Sequence, residues 1–141
     1  MTVTFCGHAE LTADDCEYLK ERVTHEIEDL IKKGAKKFLL GGYGEFDSLC
    51  AVCVKKLKSI YPDIESILVI PYLDRKYDMH LYDSSIYPPI ESVPKRFAIS
   101  KRNEYMIESA DVVVSFIKHT WGGAYKTTCF AKRKKKQIIT I

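Results

Sequence analysis

The stretch V-V-V-S-F-I-K-H-T-W-G-G-A-Y-K-T-T-C-F-A, Val112 to Ala131, decides how the chain folds. An apolar run stops at a polar turn carrying Gly122 and Gly123, and a segment of helical character begins at once. Consecutive apolar residues without polar alternation are what a strand covered on both faces requires. A strand running directly into a helix is half of the crossover that parallel neighbours need. Glycine lets backbone approach a ligand closely, and a helix start offers unpaired N–H groups to an anion.

Outward from this stretch the chain alternates between two periodicities. Thr2 to Cys6 is β-prone and ends in Gly7-His8. Thr12 to Lys33 carries Leu19, Val23, Ile27, Leu30 and Ile31 at the spacing of one helical face, with Thr12 and Asp15 placed as a cap and Gly34 as a stop. Lys37 to Leu40 reads as a strand running into Gly41-Gly42-Tyr43-Gly44. Asp47 is expected to cap a helix over Ser48 to Ser59. Ile64 to Ile70 is the next strand, halted by Pro71. Residues 72–98 break the rhythm with Pro88, Pro89, Pro94 and four tyrosines (Tyr72, Tyr77, Tyr82, Tyr87), which predicts an irregular excursion, with a lid as one reading. A helix over Ser100 to Ser109, a strand over Asp111 to Ile117, a helix over Gly123 to Lys135 and a strand over Gln137 to Ile141 complete the series. The alternation predicts an α/β chain: one three-layer, doubly wound Rossmann-like domain over residues 1–141, with a mainly parallel five-stranded sheet.

Composition narrows the function. The 141 residues are 46% hydrophobic and 29% charged, an ordinary globular balance. A formal net charge of +3 implies no nucleic-acid partner unless the charge is concentrated. Lys132 to Lys136 is such a concentration, read here as the end of the last helix, where cations offset the dipole. No charged segment followed by a long apolar one opens the chain, and no apolar run approaches the ~20 residues of a membrane span, so a cytoplasmic location is expected. Five cysteines, an odd number, read as free thiols. Cys50 and Cys53 stand one helical turn apart with no second pair to complete a zinc site, so no metal or cofactor is expected.

In doubly wound sheets ligands bind beyond the carboxyl ends of the strands. Gly7 to Glu10, Gly41 to Asp47, Pro71-Tyr72 and Lys118 to Thr127 are therefore expected to converge. The two glycine turns that open into helices predict a phosphate site. The chain lacks G-x-G-x-x-G after its first strand, G-x-x-x-x-G-K-[ST], and G-x-S-x-G, which argues against a nicotinamide dehydrogenase, a P-loop ATPase and an elbow hydrolase.

F-C-G-H after the first strand, G-G-Y-G-E-F-D after the second, and K-R-N-E-Y-M-I-E-S-A-D-V-V-V-S-F before the G-G-x-x-x-T turn together resemble the SLOG superfamily. The resemblance is especially to its small bacterial and phage branch. The superfamily also holds the Lonely-guy phosphoribohydrolases, the DNA-processing protein of transformation and antiphage sensor domains. The resemblance implies a pocket for a nucleotide, nucleotide sugar or ADP-ribose-type signal, and a homodimer. Gly7 and His8 would line the first corner, and Gly41, Gly42 and Asp47 the second. Arg102, with Asn103 beside it, matches the arginine that meets phosphate or sugar, and Gly122, Gly123 and Thr127 match the phosphate turn. The Lonely-guy turn reads P-G-G-x-G-T-x-x-E, with a catalytic glutamate at its end. Here Cys129 occupies that position and Trp121 replaces the proline.

Several residues keep two readings. His8 is an acid–base group or a hydrogen-bonding partner of nearby backbone. Glu45 is the one catalytic candidate or a plain loop glutamate, and Asp47 caps a helix or contacts ribose. Arg102 meets a phosphate or pairs with Glu104 or Glu108 on the helix surface. Trp121 stacks on a base or packs beside the glycines. The reading that emerges is a module that senses or sequesters a nucleotide-type small molecule. Nucleotide N-glycosidic hydrolysis is the alternative, and nucleic acid is the less favoured partner.

Overall fold

The computed structural model describes residues 1–141. Six strands and four α-helices follow one another, alternating except between β3 and β4: β1 (Thr2–Gly7), α1 (Ala13–Lys32), β2 (Lys37–Leu40), α2 (Glu45–Lys58), β3 (Glu65–Val69), β4 (Ser84–Ile86), α3 (Ala98–Ser109), β5 (Val112–Phe116), α4 (Gly123–Arg133) and β6 (Gln137–Thr140). The sheet is parallel throughout, in the order β4-β3-β2-β1-β5-β6. The chain winds outward from β1 to β4, then returns to the other side of β1. The order therefore reverses between β1 and β5, where Val3 faces Val112 and Gly7 faces Phe116.

Alternation along the central strands feeds two cores. Val3, Phe5, Phe38, Leu40, Val112 and Val114 point toward α1 and α2, where Leu19, Val23, Ile27, Phe46, Cys50 and Val54 complete one core cluster of 19 buried residues. The opposite face, under α3 and α4, holds two clusters of 4 residues each: Cys6, Ile107, Val113 and Ala131, then Leu39, Ile67, Val69 and Met106. One side of the sheet is thus packed solid and the other is divided, and the division leaves room for a cleft.

Local chemistry sets most element ends. Thr12 and Asp15 form a reciprocal capping box at the start of α1, each side chain accepting the other's backbone N–H at 3.1 Å. Cys50 and Cys53 are buried on the inner face of α2. At the far end of α4, Lys136 donates to the carbonyls of Glu108 and Ala110 at 3.1 and 2.8 Å, closing the end of α3. No helix is long and apolar enough to cross a membrane.

Two expectations are corrected, the strand count and the cap of α2. The sheet has six strands because Ser84–Ile86, inside the excursion, pairs with Ile67–Val69 at the edge. A three-residue S-S-I strand has no apolar run to announce it, and only its docking makes it a strand. The excursion is also pinned: Asp83 N–H donates to Ser66 O at 2.8 Å, and the Tyr72 hydroxyl to Lys95 O at 3.1 Å. Finally, α2 begins at Glu45 with Gly44 as its N-cap, so Asp47 is not the cap and lies within the first turn. Gly44 adopts φ 90°, and a Cβ there would lie 2.6 Å from Ala9 Cα, so the helix starts where only glycine fits.

Candidate functional site

A cleft of about 470 Å³ opens at the carboxyl ends of β1 and β5, between α3 and α4. The β1–α1 loop supplies Gly7 to Glu10, the second turn supplies Tyr43 and Asp47, α3 supplies Arg102 and Asn103, and the last turn supplies His119 and Trp121 to Ala124. Its apolar floor includes Ile99, Met106 and Ile107. Nine of the twelve candidates line it: Gly7, His8, Asp47, Arg102, Asn103, Trp121, Gly122, Gly123 and Thr127. Gly41, Gly42 and Glu45 do not, nor does any residue of the 72–98 excursion, which is therefore no lid over this opening.

The two glycine turns differ in what their helix starts leave open. At α2, Glu45 N–H donates to Ala9 O at 2.8 Å and Phe46 N–H to His8 O at 3.4 Å. Two of its N-terminal donors are thus spent on the neighbouring loop, and Glu45 and Asp47 place acids in the first turn. At α4, the first helical bond is Lys126 N–H to Gly122 O at 3.1 Å. The N–H groups of Gly123, Ala124 and Tyr125 have no acceptor, no side chain caps the helix, and its first turn holds no acid. A Cβ at Gly123 would meet nothing within 4 Å. Gly122, at φ 90°, turns the chain into the helix. Anion-binding capacity is concentrated at α4.

Arg102 is 2% exposed, so the surface pairing with Glu104 or Glu108 is overturned. Its Nη1 donates to Gly41 O at 2.6 Å and Val69 O at 3.0 Å, joining the carboxyl ends of β2 and β3, and Nε donates to Asn103 Oδ1 at 2.9 Å. Nη2 donates to no protein atom, yet it is not sealed from solvent. Gly41 explains itself here: a Cβ would sit 2.9 Å from Asp47 Oδ2 and 3.2 Å from Arg102 Cζ. Burial raises the Asp47 carboxyl to about 6, against the opposing pull of Arg102 and of the Tyr43 N–H. Arg102 is itself lowered by burial.

His8 is buried, and its Nε2 accepts the Lys118 N–H at 2.8 Å, so the ring proton resides on Nδ1. Burial, His119 and Lys118 all lower its pKa. The ring is a pin between the first and last turns. Lys118 is itself engaged, its Nζ meeting Asp15 at 3.0 Å. Cys6 sits in the cleft floor, but its thiol donates to Ala124 O at 3.0 Å and burial raises it to about 11, which removes it as a nucleophile. Glu45 turns away and accepts the Leu11 N–H at 2.6 Å. Thr127 lines the cleft while its hydroxyl donates to Gly123 O at 2.9 Å. Tyr43 and His119 were not singled out from sequence. Lone aromatic residues in loops carry no periodic signal, and only folding brings them to the cleft wall.

No family model matches this chain. The uncharacterised SPbeta prophage-derived protein YoqJ of Bacillus subtilis is 27% identical, with 82% of this chain and 81% of that protein covered. Among solved structures, DNA processing protein A from Helicobacter pylori superposes with a TM-score of 0.65 at 20% identity over 99% of this chain. This chain has the Rossmann-like fold of DNA processing protein A. It spans 64% of the length of the Helicobacter pylori chain, whose structure concerns single-stranded DNA binding. The molybdenum cofactor carrier protein of Chlamydomonas reinhardtii shares the fold at a TM-score of 0.65 and 17% identity, over 99% of this chain and 74% of its own. At the level of fold the solved neighbours agree with the resemblance drawn from the sequence, and the prophage-derived relative agrees with its phage branch.

Proposed function

We propose that this protein binds a nucleotide-derived small molecule through its phosphate, as a sensing or sequestering module. The observation that carries the reading is the start of α4: three N–H groups without acceptors, in a turn without acids, open onto the cleft that Arg102 lines. A phosphate there would meet backbone donors and the positive end of the helix dipole. Arg102 Nη2 is a further donor on the same wall. A cleft of about 470 Å³ is of the size small-molecule sites use.

Binding is favoured over N-glycosidic cleavage because the acids are poorly placed for it. Such cleavage needs a carboxylate beside the sugar to stabilise developing positive charge. Glu45 is outside the cleft and engaged with Leu11, and Cys129 stands where the Lonely-guy glutamate would be. Asp47 and Glu10 keep hydrolysis as a second reading, since both line the cleft and Asp47 stands beside Arg102.

Isothermal titration of ADP and ADP-ribose tests the proposal. The native chain is expected to bind at least one of them. Gly123→Val, whose side chain projects into open space, is expected to lose that binding while unfolding as cooperatively as the native chain. Unchanged affinity in the folded variant would refute the α4 site.

A further inference from the structure

The last turn holds a feature that phosphate binding leaves unexplained. His8, held by the Lys118 amide, carries the His119 ring flat against it, with centroids 3.9 Å apart and planes at 18°. Trp121 lies on the other side of His119, at 3.8 Å and again 18°. His119 Nδ1 also contacts the Trp121 carbonyl at 3.0 Å, tying the two residues together. The stack begins at a buried ring and ends at an indole that is 69% exposed on the cleft wall, next to Gly122 and Gly123.

Plain packing does not account for this indole. A tryptophan that serves the core buries both faces, whereas here one face rests on His119 and the residue stays open to solvent. The indole rests on His119, which His8 backs in turn and whose Nδ1 contacts the Trp121 backbone carbonyl, so part of the freedom lost on stacking is already spent before anything settles on the free face. Aromatic bases stack on such faces whatever their sequence identity.

We infer that the outer face of Trp121 is the stacking platform for the base of the bound ligand, which makes the ligand a nucleotide with an intact aromatic base and excludes a bare sugar phosphate. This rests on the phosphate reading of α4. Tyr43, 65% exposed on the same cleft, supplies another ring from the second turn. His8 and His119 act as positioning residues behind the platform.

The test uses ADP and ribose 5-phosphate as probes of the full chain, by calorimetry and by emission of the single tryptophan. Trp121→Ala is expected to weaken ADP by about 5- to 150-fold, the span of one base–aromatic stack. Ribose 5-phosphate is expected to change by less than about twofold, or to bind too weakly to measure beside ADP. Trp121→Phe should restore most of the ADP affinity, and ADP should perturb the native emission. Unchanged ADP affinity in Trp121→Ala, or equal losses for both probes, would overturn the platform alone. Failure of the phosphate reading looks different: the native chain binds neither probe, or Gly123→Val leaves ADP affinity intact.

Discussion

Replacing Asp47 with asparagine is expected to stabilise the protein at pH 8 and to leave it nearly unchanged near pH 4. The carboxylate is partly buried over Gly41 beside Arg102, but the two make no direct ion pair. Desolvation outweighs attraction, and the carboxyl rises from an ordinary 3.8 to about 6. The folded state therefore holds the proton more tightly than the unfolded chain. The resulting stabilisation is fully present below the unfolded pKa and is lost as pH rises through the folded one, so the window is about pH 4 to 7. At about 1.4 kcal/mol per pH unit, the ionised carboxylate costs the native state about 2–3 kcal/mol, the lower figure allowing for water in the cleft. Asparagine keeps an oxygen for the Tyr43 N–H without the charge. Urea unfolding of both proteins at pH 4, 6 and 8 measures the difference. His8, whose pKa is lowered, destabilises the fold with the opposite pH sense, but it is common to both proteins and cancels. A difference that is flat with pH, or a native protein more stable than the variant at pH 8, would show that Asp47 is held by Arg102 as an ion pair and that burial does not dominate.

Arg102→Ala is expected to cost about 3 kcal/mol in urea unfolding, because Gly41 O and Val69 O lose a shared charged donor in a buried place. Lysine should not rescue it, since an ammonium lacks the fork that reaches both carbonyls and Asn103. Glu45→Gln is expected to leave ADP affinity unchanged, as Glu45 lies off the cleft, and no enzyme-like release of base from AMP is expected on chromatography. If base is released, Asp47→Asn decides whether Asp47 is the acid responsible.

Much of the fold was legible in one dimension because its signals are local. The apolar run at Val112 to Val114 declares two-sided burial, the Leu19–Val23–Ile27–Leu30 stripe declares a helix face, and Thr12 with Asp15 declares its start. Edge strand β4 carried no such signal. Its three residues become a strand only through hydrogen bonds to β3, and those depend on where the whole excursion docks.

For the site, strand–helix alternation by itself put both glycine turns at the carboxyl ends of a parallel sheet, while Arg102 came from the family resemblance and kept a surface-pairing alternative. Only the tertiary structure decided which turn keeps its donors. The start of α2 is closed by the carbonyls of His8 and Ala9, more than thirty residues away in sequence, while the start of α4 meets no such neighbour. The same holds for Arg102, Asp47 and the three stacked rings. Hydrogen-bond saturation, burial and ring stacking are set by contacts between distant segments, and the order of residues along the chain does not encode those contacts one position at a time.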